Sequence, residues 1–189
     1  MSEEEPRQGE HHEQEPAAEP RIYVASLSDY NAGRLHGSWL DAAVSLEELH
    51  GGVQLMLSSS PTDPRAEEWA IHDYEGFHGL RLSEWEPLER VSLVGRGIAE
   101  YGEAFAAWVG NDSVPTEELD RFTDCYLGRW DSVEDYARAL LDDLGVDTDA
   151  IGPEWLQSYV RLDVEAFARD LAGELSIVHG SKGVYVFEP

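Results

Sequence analysis

The residues with the best claim to chemistry are the pair His72-Asp73, the single thiol Cys125 and the adjacent carboxylates Asp142-Asp143. A histidine beside a carboxylate is the beginning of a general-base pair. Neighbours in a strand point to opposite faces, however, so adjacency alone does not bring these two into one site. His36, His50, His78 and His179 are scattered without metal-ligand spacing. No HExxH, nucleophile elbow, phosphate loop or dinucleotide fingerprint is present. A single cysteine rules out a disulfide framework and a cysteine-rich zinc site. Cys125 sits between Asp124 and Tyr126 in an expected strand, without a basic neighbour to activate it, and is expected to be buried and structural. Asp142-Asp143 offers the donor type for Mg²⁺ or Ca²⁺. With 39 acidic residues in 189, such pairs arise by chance, and a solvated helix face is the default. The expectation is no catalytic residue, no cofactor, no metal and no enzymatic activity.

The acidity itself is the stronger signal. Thirty-nine Asp and Glu face 13 Lys and Arg, a net charge of −26, while 42% of residues are apolar. That apolar share suits a folded chain. Direct binding to nucleic acid or anionic lipid is excluded as a main activity, because those polyanions attract Lys and Arg. Residues 1–20 hold seven Glu and one Arg, a net −6, with three Pro and almost no bulky apolar side chain, and are expected to form a disordered tail. This start lacks the apolar core of a signal peptide, and no run is long and apolar enough to span a membrane, so a cytoplasmic protein is expected.

Charge then grows along the chain: −2 over 21–60, −6 over 61–110 and −12 over 111–189. Two physical readings follow. Carboxylates can keep a protein solvated at high salt, which suits 12 Arg against one Lys but should coat every segment. Carboxylates on a rigid scaffold can also present phosphate-like charge to a protein that holds DNA.

The elements that would position these groups alternate in type. Residues 22–27 and 35–40 read as two strands of a hairpin joined by turn residues 29–33. Ser45 with Glu48 forms a capping box opening a short helix. Residues 69–74 give a third strand. Residues 77–112 read as helical, with Ser83 and Glu86 capping the first helix and Gly95 and Gly97 breaking it. Ile98, Tyr101, Phe105, Trp108 and Val109 then mark one face of a second helix. Residues 115–118 start a short helix and 124–130 read as a strand. Ser132 caps the clearest helix, with Val133, Tyr136, Ala137, Leu140, Leu141 and Leu144 on one face and Gly145 at its end. Pro153 is expected to open another helix and Asp163 to cap one through Leu171. Residues 177–187 form a hairpin. The fold class is α+β, with a small unit at 21–76, a helical unit at 77–112 and a mixed unit at 113–189. The aromatic residues Trp39, Trp69, Tyr74, Trp130, Tyr136 and Phe167 are expected in the core.

Four separated stretches resemble the ArdA antirestriction family. They are residues 21–39 (RIYVASL, then YN, G and LHGSW), 67–77 (EEWAIHDYEGF), 126–137 (YLGRWDSVEDYA) and 163–171 (DVEAFARDL). The resemblance implies an elongated homodimer of three small domains per chain that imitates B-form DNA. It also implies a partner, the methyltransferase core of a type I restriction-modification enzyme, whose DNA-binding groove the protein occupies. On this reading neither nucleic acid nor membrane is a partner. The carboxylates of the middle and C-terminal segments become the phosphate-mimic candidates: Glu84, Glu86, Glu89, Glu100, Glu103, Glu117, Glu118, Asp120, Asp131, Glu134, Asp135, Asp142 and Asp143. Pairs 134/135 and 142/143 lie eight residues apart, about 12 Å along a helix. The alternative is a salt-adapted acidic protein that binds another basic partner.

Overall fold

A computed structural model describes residues 19–63, 65–112, 114–147 and 152–189. The expected tail falls almost wholly outside these. Pro20, its last residue, is buried, and its carbonyl accepts from the Ala42 amide at 2.8 Å.

The first sheet has β1 (Arg21–Ser26) between β2 (Gly37–Asp41) and β3 (Trp69–Glu75), all antiparallel. Ile22 and Val24 alternate inward along β1. Helix α2 (Leu46–Ser58) carries the expected Ser45/Glu48 capping box and is longer than its sequence signal. Its buried residues Leu49, Val53, Met56 and Leu57 recur at helical spacing, which makes the stripe that covers the sheet. The expected turn after β1 is instead a short helix, α1 (Leu27–Asn31), because the Ser26 hydroxyl accepts from the Asp29 amide and starts a helical turn.

Asp29 is buried at that point and accepts from the Ser60 hydroxyl at 2.6 Å and the Thr62 amide at 3.1 Å. Burial alone would raise its pKa; hydrogen bonds from Ser60, Thr62 and Ser26 outweigh it and hold the carboxyl at about 2, below the ordinary 3.8. A depressed carboxylate stabilises the fold above its unfolded pKa, and that contribution is lost as pH falls toward about 2. Between pH 4 and 2, the wild-type unfolding free energy should therefore fall more steeply than that of Asp29→Asn, as urea titrations at each pH would read.

Residues 77–87 are turns, not a helix. The Ser83–Glu86 pairing is present, with Glu86 accepting from the Ser83 amide at 3.0 Å, but the Ile71 amide binds the Glu84 carbonyl at 3.0 Å and ties this segment to β3. Helix α3 (Leu88–Tyr101) starts only after Pro87, and it runs unbroken through Gly95 and Gly97. Those glycines are contact points. A Cβ at Gly95 would meet the Ala42 backbone, and one at Gly97 the Phe105 ring. The break comes at Gly102, where φ is 65°, and α4 (Glu103–Asp112) follows. Ile98 and Tyr101 thus belong to α3, and Phe105, Trp108 and Val109 to α4.

A 3₁₀ helix spans Thr116–Arg121, followed by α5 (Phe122–Cys125) and β4 (Tyr126–Trp130). The strand therefore starts two residues later than its sequence signal. Cys125 is buried, as expected. Helix α6 (Val133–Asp143) is capped by Ser132. Residues 152–159 form turns closed by Pro153–Leu156 and Leu156–Tyr159 hydrogen bonds, not the helix expected from Pro153. Helix α7 (Val164–Glu174) is capped by Asp163, which accepts from the Ala166 amide at 2.9 Å. The hairpin of β5 (Ser176–Gly180) and β6 (Gly183–Phe187) then pairs with β4 in the order β4-β6-β5. Among the described residues the fold holds seven α-helices and two small antiparallel sheets, an α+β protein.

One apolar cluster runs from Ile22 on β1 through α2, α3 and α4 to Phe187 on β6. A separate one joins α6 and α7 through Ala137, Leu141, Val164 and Ala168. Of the aromatics expected in the core, Trp39 is exposed, its ring tilted against that of Tyr23 with the Arg21 guanidinium 5.3 Å from it. Trp69, Tyr74, Trp130, Tyr136 and Phe167 are half-buried.

Candidate protein-interaction site

His72 and Asp73 do not form a catalytic pair. The Asp73 side chain is exposed and accepts from the Tyr74 amide, while the His72 ring packs edge-on against Tyr30 at 5.1 Å. No group of three or more His, Cys, Asp or Glu suited to a metal ion occurs among the described residues. The chain's conspicuous surface chemistry is its carboxylates.

Two groups of the expected residues come together. Helix α3 and the 3₁₀ helix enclose a groove of about 620 Å³, and Glu89, Glu100, Glu117 and Asp120 line it. Arg96 is the cation in that lining, and Tyr101, Phe105 and Phe122 form its apolar side. On α6, Glu134, Asp135, Asp142 and Asp143 are all exposed. Asp135 shares the cap, accepting from the Ser132 hydroxyl at 2.6 Å. Asp142 and Asp143 sit in the last turn, where the helix dipole disfavours negative charge, and that turn holds no basic residue. Among the described residues, no cation lies within ion-pair distance of Glu134, Asp142 or Asp143. Glu84 and Asp131 are exposed singly, beside the 83–87 turn and before the α6 cap.

Three expected residues are engaged by other side chains or amides of the same chain. Glu86 pairs with Arg90 at 3.5 Å, and Glu118 with Arg121 at 2.8 Å. Glu103 is half-buried at the start of α4 and reaches the β5–β6 turn. It accepts from the Ser181 amide at 2.7 Å, the Ser181 hydroxyl at 2.6 Å and the Tyr185 hydroxyl at 3.0 Å. Burial would raise its pKa, but these bonds prevail and lower it. Burial, then the bond to Glu103, raises that of Tyr185. Glu103 thus braces α4 against the β5–β6 turn. Glu103→Ala is expected to destabilise the protein by about 1–3 kcal/mol, because Tyr185 and the Ser181 amide lose their charged acceptor. Amide hydrogen exchange at Ser181 should rise with it, a local readout for the loosened turn.

An exposed tryptophan lies outside the residues to which the sequence points. Trp85 stands 63% exposed between Glu84 and Glu86, with Glu67 and Glu68 nearby. The available signal was an isolated Trp between two acids, outside any apolar period.

The described surface of this α+β chain gathers carboxylates into two groups, an arrangement electrostatically complementary to a basic surface. The family model described as Antirestriction protein (ArdA) matches residues 22–186, and the chain belongs to that family. No curated protein matches the chain. No helix among the described residues is long and apolar enough to cross a membrane.

Proposed function

We propose that this antirestriction-family protein acts as a DNA mimic. In the cytoplasm, as a homodimer, it would occupy the DNA-binding groove of a type I restriction-modification enzyme and block restriction by competition. Its carboxylates take the place of phosphates against the Lys and Arg of that groove, so its activity is binding and not catalysis. The observation that carries this reading is the placement of Asp142 and Asp143. They are exposed, without a cation at ion-pair distance among the described residues, at the helix end where the dipole opposes them. Residues set against local stability are expected where function requires them. The groove carboxylates Glu89, Glu100, Glu117 and Asp120 extend the same charge on a second face.

Competition tests the reading. A purified type I methyltransferase core is bound to labelled DNA and titrated with the full chain at two salt concentrations. Displacement near stoichiometry, weakening as salt rises, is the expected result. No displacement by a folded, dimeric protein would reject this target and favour an acidic, salt-adapted protein with another basic partner. The same assay, read by methyl transfer, shows whether modification falls together with restriction.

A further inference from the structure

Phosphate mimicry accounts for charge but not for Trp85. A groove of about 460 Å³ lies between α1, the residues leading into β3, and the 83–87 turn. Leu27, Trp69, Trp85 and Leu88 give it apolar walls, Glu67 and Glu68 stand on its rim, and His50 of α2 completes the lining. Trp85 is exposed on a fixed support. Its amide donates to the Ser83 hydroxyl at 3.2 Å, and the Glu86 amide to the Ser83 carbonyl at 3.1 Å. The Ile71–Glu84 bond anchors the turn to the sheet, and the Leu27 amide holds the Glu68 carbonyl at 3.0 Å. The rim carboxylates are exposed, and no cation lies within ion-pair distance of either among the described residues. Glu86, by contrast, is neutralised by Arg90.

We propose that this groove docks an arginine side chain presented by the DNA-contacting surface of the protein partner. An occupant with an apolar stem, a stacking face and a positive head matches the apolar walls, the Trp85 ring and the exposed Glu67 and Glu68. The aliphatic stem of arginine covers Leu27 and Leu88, its guanidinium stacks on the Trp85 indole, and its outer N–H groups reach Glu67 and Glu68. Lysine is a strongly hydrated point charge and gains less from the ring. The chain's own N-terminal segment is a poor occupant, since its net −6 meets an acidic rim. The proposal relies on the function above only for the source of the arginine.

The test uses the full ¹⁵N-labelled chain and a capped peptide in which two arginines flank a leucine, with lysine and citrulline versions. The expected result is that the Trp85 indole and the Glu67 and Glu68 amides shift together. The lysine peptide and the Trp85→Ala variant should each bind about tenfold more weakly. Glu67→Gln with Glu68→Gln should weaken the arginine peptide and leave the citrulline peptide unchanged. Shifts spread evenly over all acidic faces, or a Trp85→Ala protein that binds like the wild type, overturn the proposal. The DNA-displacement assay separates it from the functional reading. Displacement by wild type and Trp85→Ala alike, with peptide binding insensitive to Trp85, sinks the slot and leaves mimicry intact. Peptide binding at Trp85 without displacement of DNA keeps the slot and rejects the restriction enzyme as its partner.

Discussion

Replacing Glu134, Asp135, Asp142 and Asp143 together by Gln and Asn should cut displacement of DNA from a type I methyltransferase core about 100-fold. The figure follows if each exposed charge contributes about 0.7 kcal/mol to the complex, since about 2.8 kcal/mol is two decades of affinity. Each single neutralisation should then cost only about threefold. The two ends of α6 should also respond differently in stability. Glu134 and Asp135 lie in the first turn, where negative charge is favourable, and Asp135 bonds the cap. Asp142 and Asp143 lie in the last turn, where removing charge relieves the dipole. Asp142→Asn with Asp143→Asn is therefore expected to unfold at a slightly higher temperature while inhibiting less well. Thermal unfolding by circular dichroism beside the displacement assay reads both effects. A quadruple variant that keeps its fold and inhibits like the wild type would remove α6 from the proposed contact face. A double variant less stable than the wild type would remove the argument from misplaced charge.

Elements signalled by local chemistry were legible in the sequence, and those decided by distant contacts were not. The Ser45 and Ser132 caps, the α6 stripe and the terminal hairpin depend on residues a few positions apart, so spacing reveals them. Gly95 and Gly97 look like helix breakers because their reason lies elsewhere, in the Ala42 backbone and the Phe105 ring. The Ser83–Glu86 pair makes its bonds without making a helix, because a β3 amide claims the neighbouring carbonyl. The candidate carboxylates divide in the same way. That α6 displays its acids follows from helical period alone. That Glu103 is internal follows from Ser181 and Tyr185, 78 and 82 residues further on, which no local pattern announces. Acidic composition thus shows that carboxylates dominate the polar surface, while only tertiary contacts separate those left free at the surface from those bracing the scaffold.

The scaffold has its own critical residue. Phe122→Ala should cost about 3–5 kcal/mol of unfolding free energy. Phe122 is fully buried, and its ring lies 4.7 Å from that of Tyr101, 5.2 Å from Phe105, 5.5 Å from Trp108, 5.0 Å from Tyr126 and 6.2 Å from Phe187. Those rings belong to α3, α4, β4 and β6, so one side chain joins the helical segment to the second sheet. Truncation removes a large buried ring and leaves a void that stiff aromatic neighbours cannot close. The same ring lines the α3 groove with Glu89, Glu100, Glu117 and Asp120. Losing it should therefore also disperse one of the two acidic groups. Phe122→Leu fills most of the volume and should recover much of the stability, but without the ring contacts. Denaturant unfolding of both variants measures the cost, and near-ultraviolet dichroism reports the order of the aromatic cluster. An alanine variant within about 1 kcal/mol of the wild type would mean that the second sheet is held chiefly by other contacts, such as the Glu103 strut.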